Sequence, residues 1–310
     1  MKPRQITLLG LLTVALLATT SVRLTAGDTQ SLFDRKNIVA WCIVPFDSVK
    51  RDPAQRAEMV QKLGITKVAY DWRAEHVPQF EQEILEYQKH GIEFFAFWTM
   101  HEEALKLFAK YNMHPQLWVM LRVAGERQDE KVKNASEALL PVLQKAKEIG
   151  SKVGIYNHGG WGGEPENMVA VCEYLRKNRS IENVGIVYNQ HHGHSHVDRF
   201  PAVLAAMEPY LLCLNLDGMV RDGDQHGKKI QPLGQGELDL SLLKIIAASG
   251  YRGPIGIIGH TNDDVELRLR DNLDGLNWLV SQLDGNPAVA KPIARVPLLP
   301  KPTSLVKPSK

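Results

Sequence analysis

The feature that most constrains this chain is an alternation repeated eight times: a short apolar run, then an amphipathic stretch of helical length. The apolar runs fall at 38–44, 67–72, 94–98, 117–121, 153–157, 184–189, 211–216 and 255–259. They are rich in Val, Ile, Phe, Tyr and Trp and are bounded by Gly, Asn or Asp, as strands are. Their nearly continuous apolar character suits parallel strands covered on the outside. The stretches at 52–63, 78–88, 102–111, 130–149, 165–175, 201–207, 238–248 and 265–283 carry apolar residues at three- and four-residue spacing. Gly64, Gly91, Gly150 and Gly250 stand where helix ends need a permissive backbone. Eight strand–helix pairs is the count of a closed α/β cylinder, a (β/α)8 barrel. Right-handed crossovers then put every helix outside and every strand-to-helix loop at one rim. An open doubly wound sheet would be expected to carry a Gly-x-Gly-x-x-Gly turn after its first strand, and none follows 38–44.

A barrel of this kind takes roughly 250 residues, which assigns 37–285 to it and leaves two ends of the 310-residue chain. Residues 1–26 join a short basic head to an apolar run and read as a secretory signal peptide, so an exported, periplasmic or secreted protein is expected. That run is too short for a stable membrane span, and cleavage would remove it. Residues 27–36 read as a linker. Residues 286–310 hold six prolines and five Lys or Arg and no acid, and suit an extended tail. Without both ends the formal charge falls from +2 to 29 basic against 35 acidic residues. The acidic body, with no basic stripe interleaved with aromatics, speaks against nucleic acid. Cys42, Cys172 and Cys213 are an odd, scattered set inside apolar segments, expected to be buried free thiols.

In such a barrel, substrate sites are built at the C-terminal ends of strands. Those positions read Tyr70-Asp71-Trp72-Arg73, then Trp98, then Arg122, then Tyr156-Asn157-His158-Gly159-Gly160-Trp161-Gly162-Gly163-Glu164. They continue with Asn189-Gln190-His191-His192-Gly193-His194-Ser195-His196, Asn215-Leu216-Asp217 and His260. Core packing does not explain so many polar groups, because burial without partners is costly. A polar pocket for a small carbohydrate is the expectation. Asp71, Arg73, Arg122 and Tyr156 are candidate contacts, Asn157, Asn189 and Asn215 hydroxyl readers, and Trp72, Trp98 and Trp161 walls for a sugar ring. His158 is the candidate base, since imidazole titrates near neutrality, with Glu164 and Glu237 in reserve. His191, His192, Asp217 and His260 are candidate ligands for one divalent metal ion (Mn, Zn, Co or Mg). No nucleotide cofactor is indicated, and pairing of two barrels into a homo-oligomer is left open.

Three segments carry a family resemblance. They are Asn157-His158-Gly159-Gly160 after strand five, the turn from Pro232 through Gly234-Gln235-Gly236 to Asp239, and Gly250-Tyr251-Arg252-Gly253-Pro254-Ile255 before strand eight. On these, residues 37–283 resemble the sugar phosphate isomerase/epimerase family with the xylose-isomerase-like barrel; the middle segment is similar to that family's Gly-x-Gly-x-x-Asp turn. The resemblance implies one divalent cation held by two Glu, one Asp and one His at the ends of strands five to eight, the two Glu also moving the proton. Carried across, the strand-five Glu falls at Tyr156 with His158 after it. The strand-six Asp falls at Asn189 with His191 or His192 following. The strand-seven His falls near Leu214 or Asn215 with Asp217 beyond, and the strand-eight Glu falls near Ile258 with His260 after it. Both catalytic carboxylates are thereby replaced. The chemistry the family implies is isomerisation or epimerisation by proton abstraction next to a sugar carbonyl. The alternatives are a lyase that cleaves 3-keto-glycosides by β-elimination and a non-catalytic carbohydrate-binding barrel.

Overall fold

The computed structural model describes residues 31–286 and 288–296; the expected signal peptide and most of the proline-rich tail lie outside them. Eight strands form one closed sheet: β1 (Ile38–Trp41), β2 (Lys67–Tyr70), β3 (Glu93–Trp98), β4 (Gln116–Val119), β5 (Val153–Tyr156), β6 (Val184–Asn189), β7 (Leu211–Leu216) and β8 (Ile255–Ile258). Every neighbouring pair is parallel, and β1 closes on β8 with Ile38 opposite Ile255 and Trp41 opposite Ile258. The helices between them are α1 (Pro53–Lys62), α2 (Phe80–Lys89), α3 (Glu102–Lys110), α4 (Gln128–Glu148), α5 (Pro165–Arg179), α6 (Phe200–Met207) and α7 (Asp239–Ala248), with α8 (Val265–Leu283) after β8. This is the (β/α)8 barrel that the alternation predicts.

The period-two alternation of the strands sorts side chains into two cores. Ile38, Ala40, Val68, Tyr70, Phe97, Leu117, Ile155, Ile186, Leu214 and Ile257 pack outward under the helices. Val39, Trp41, Ala69, Phe95, Trp118, Tyr156, Val187, Cys213 and Ile258 fill the cylinder. Trp41 is the hub of the inner core, edge-on to Trp118 and Tyr156 at centroid distances of 4.9 and 5.0 Å. Room for this cluster comes from β5. A Cβ at Gly154 would stand 2.5 Å from Val187 Cγ2 and 2.8 Å from Trp118 Cδ1, closer than real contacts allow. All three cysteines are buried and free, as expected.

The strand-one run is shorter than its composition suggests. Cys42 takes a left-handed conformation (φ 56°) directly after Trp41 and ends the strand there. At the other end of the chain, residues 288–296 lie against α8. Arg295 pairs with Asp271 at 2.9 Å and Asp274 at 2.7 Å, the Val296 N–H donates to Asp271, and Val296 is buried. Among the described residues no helix is long and apolar enough to cross a membrane.

Candidate active site

At the C-terminal mouth of the barrel a cavity of about 100 Å³ opens between β1, β2, β3, β5, β6 and β8. Trp41, Trp98 and Phe46 give it aromatic walls; Asp71, Tyr156, His158, His192, His260, Arg73 and Cys42 give it polar ones. Inward-facing alternation puts them there: Asp71 two positions beyond Ala69, His158 two beyond Tyr156, His260 two beyond Ile258.

Asp71 forms the floor. It is 3% exposed, and its Oδ1 is buried without a hydrogen-bond partner. Burial pushes its carboxyl up to about 7, against the pull of the Arg73 guanidinium and the backbone N–H groups of Asp71 and Val44. Burial together with the nearby Asp71 carboxyl raises the Cys42 thiol well above its ordinary value and keeps it protonated.

Facing it, Tyr156 is held by a chain of amides. The Asn189 N–H donates to Asn157 Oδ1 at 2.7 Å, and Asn157 Nδ2 returns a bond to the Asn189 carbonyl at 3.1 Å. Asn189 Nδ2 then donates to the Tyr156 hydroxyl oxygen at 3.1 Å. With that oxygen already accepting, the phenolic proton is left to donate elsewhere. Burial raises the phenol well above its ordinary value, so it stays protonated. Asn157 and Asn189, expected to read hydroxyls, are fully buried and bonded to each other, and Asn189 tethers Tyr156.

The histidine run divides. His194 places its two ring nitrogens against the carbonyls of Val220 and Lys229, and His196 bonds the Tyr188 hydroxyl at 3.0 Å and approaches Glu164 at 3.4 Å. His192 turns to the cavity, 4.5 Å from His158 and 3.8 Å from His191 between ring centroids. His260 packs tilted against Phe46, 3.7 Å between ring centroids, and stands 6.0 Å from His191. Burial and the neighbouring imidazoles push His192 down to about 3 and His191 well below its ordinary value, so both are neutral.

Other sequence candidates stand outside this lining. Glu164, the first reserve base, is bound to Arg199 at 2.8 Å. Glu237 is exposed and accepts the Arg221 N–H at 3.1 Å. Trp161 bonds Gln128 at 2.8 Å, and Arg122 is exposed and outside the cavity lining. Trp72 donates to the Trp98 carbonyl at 2.8 Å and so fixes a wall rather than forming one. Asn215 lies across the space a Cβ at Gly256 would need. Asp217 is fully buried, and the charges acting on it are Asp239 and Arg268 rather than the histidines. Phe46, Trp41 and Cys42 were not expected as wall residues. Reading strand one as far as 44 hid them, because the turn at Cys42 brings Phe46 back over the mouth.

The metal set implied by the resemblance does not fit these residues. Tyr156 and Ile258 occupy the inward positions of the two Glu, and among the described residues no three of His, Cys, Asp and Glu are grouped to hold an ion. The Gly-x-Gly-x-x-Asp turn does form. Asp239 accepts the N–H groups of Met219 at 2.6 Å, Gly234 at 2.7 Å and Gly236 at 3.0 Å.

No protein-family model matches the chain, and no curated protein sequence matches it. Solved structures do. The 3-keto-D-glucoside 4-epimerase of E. coli superposes with a TM-score of 0.58 at 15% identity, over 79% of this chain and 98% of that one. A xylose isomerase domain protein from Planctomyces limnophilus gives 0.59 at 13%, over 81% and 98%. D-psicose 3-epimerase from Clostridium cellulolyticum H10, solved with D-tagatose, gives 0.54 at 14%, over 81% and 98%. At these identities the likeness is one of fold: the chain is a closed (β/α)8 barrel of the xylose-isomerase-like type.

Proposed function

We propose that this chain is a carbohydrate-acting enzyme of the isomerase or epimerase kind, which removes a proton from the carbon next to a sugar carbonyl. The observation that carries this reading is Asp71, a buried carboxyl with an unpartnered oxygen and a pKa pushed to about 7. It shares one cavity with the tethered hydroxyl of Tyr156. A base poised near the working pH and a donor aimed at the developing oxyanion are what enolisation requires.

In this scheme the Asp71 carboxylate takes the proton from the carbon, and the C–H electron pair forms the C=C bond of an enediolate. The carbonyl oxygen gains the charge and accepts the Tyr156 O–H and an N–H of neutral His192. Asp71 then returns the proton: to the neighbouring carbon for isomerisation, with the hydroxyl proton on the deprotonated carbon passing to the former carbonyl oxygen as the new C=O forms, or to the same carbon for epimerisation. Returning it to the other face of that carbon needs the intermediate to turn or a second group to deliver it, and His158, which lines the same cavity, is that group in the proposal. The proposal differs from the sequence expectation in one respect: Asp71 takes the first proton, and His158 is the second group. Trp41 and Trp98 supply the flat apolar surface on which a sugar ring rests. No step here is routed through a metal, because the chain's donors are not assembled around one.

The likeness to a 3-keto-D-glucoside 4-epimerase makes 3-keto-glycosides the first substrates to try, and β-elimination from the same enediolate is the second reading. Export through residues 1–26 is part of the proposal and would place the enzyme among extracellular or periplasmic sugars. The test is incubation in deuterated water with ketoses, aldoses and 3-keto-glycosides, with and without chelator, followed by NMR. Deuterium at the carbon beside the carbonyl, retained in chelator, supports the scheme. Tight sugar binding without exchange in any member supports the binding module.

A further inference from the structure

Arg73 is the only Lys or Arg on the wall of the cavity. It stands at the lip, exposed to solvent, while Asp71 two residues earlier is buried at the floor. Among the described residues no carboxylate lies within ion-pair reach of it; its Nη1 donates to the Trp72 carbonyl at 2.7 Å. The guanidinium carries five N–H donors in a planar fork, so most of them point to no protein acceptor. It is nonetheless held in place: its Cζ lies 5.3 Å from the centre of the Phe46 ring, which itself packs tilted against His260. Lys229 adds positive potential from the β7 side, acting on both His191 and His192. The mouth is thus cationic at its lip within a body that is acidic overall, and its one lining carboxylate is at the floor.

We infer that the substrate is an acidic sugar, whose carboxylate is held at the lip by the Arg73 fork while its carbonyl carbon reaches Asp71 at the floor. This rests on the proposed function and adds the substrate class. A planar carboxylate matches a guanidinium with two parallel N–H···O bonds. A phosphate dianion is commonly held by several cations or a run of backbone N–H groups at a helix N-terminus, and the lining supplies one cation. A neutral sugar would leave the fork unused.

The test reads binding rather than turnover, so that it stands apart from the exchange experiment. Trp41 and Trp98 line the cavity and report ligands by fluorescence. D-glucuronate, D-glucose and glucose 6-phosphate are titrated into the full chain at low and high salt. The expected result is at least tenfold tighter binding of glucuronate than of glucose, weakened by salt. Arg73→Gln should abolish that preference, and Arg73→Lys should keep only part of it. Lys89→Gln, which removes the same charge from the exposed end of α2, should leave the preference intact. Equal binding of glucuronate and glucose, tighter binding of glucose 6-phosphate, absence of binding by all three, or an unchanged preference in Arg73→Gln each overturns the inference. Deuterium exchange into neutral sugars alongside such a result would leave the proposed function standing without it.

Discussion

Two buried aspartates near the mouth have carboxyls pushed by burial to about the same value, near 7, and serve opposite ends. Asp239 is spent on the backbone, its two oxygens accepting three N–H groups from the turn between β7 and α7. Asp71 has an oxygen with no partner and faces a cavity. Burial alone therefore does not mark a reactive group. What distinguishes the two is whether the desolvated oxygen has already been claimed by the fold.

Substitution by asparagine should separate them most sharply. Asp71→Asn should lower the exchange rate by about 100- to 10,000-fold, the usual contribution of a general base, while the protein stays folded. Asp239→Asn turns an NH2 group toward backbone donors and should cost on the order of 2 kcal/mol in denaturant unfolding, with any remaining folded protein still active. If Asp239→Asn destroyed activity without loss of stability, the distinction would be wrong.

A smaller effect is expected at the donor side. Tyr156→Phe removes the hydroxyl aimed at the oxyanion and should slow turnover by about 100-fold, the low end for such donors. Asn189→Ala leaves the hydroxyl but frees it to rotate, and a loss of about tenfold in kcat with little change in KM is expected. An equal loss in both variants would make Asn189 more than a positioning residue.

A further effect is in stability. Because the folded state raises the Asp71 pKa from an ordinary 3.8 to about 7, the protonated form is the one the fold favours. That contribution is complete below about pH 4, declines between pH 4 and 7, and is gone above 7. Asp71→Asn, with no charge to bury, should match the wild type near pH 4 and exceed it at pH 8 by on the order of 4 kcal/mol. Melting curves at the two pH values check the sign.

Much of this molecule is legible in its sequence because the barrel is specified by periodicity. Short continuous apolar runs and three-to-four helix spacing locate all eight pairs, and Tyr70-Asp71-Trp72-Arg73 stands out at a strand end because charged residues there have no packing reason. Periodicity carries no information on which way a loop side chain turns. Glu164 and Glu237 look like rim carboxylates, yet one is held by Arg199 and the other points to solvent. Asp217 sits at the right strand end and answers to Asp239 and Arg268. Phe46 belongs to the site only because Cys42 adopts a backbone conformation that non-glycine residues seldom take, and no local signal in 38–44 announces it. Asn157 and Asn189 show a related limit: an amide at a rim reads as a ligand contact until its neighbours are known.

The most direct measurement is the pH dependence of solvent-deuterium incorporation into a substrate sugar, in wild type and Asp71→Asn side by side. The account predicts a wild-type rate that rises with pH to a plateau with a midpoint near 7, and a variant whose residual rate lacks that rise. A wild-type profile with its midpoint near 4, or an Asp71→Asn variant that keeps the same rise and rate, would contradict it.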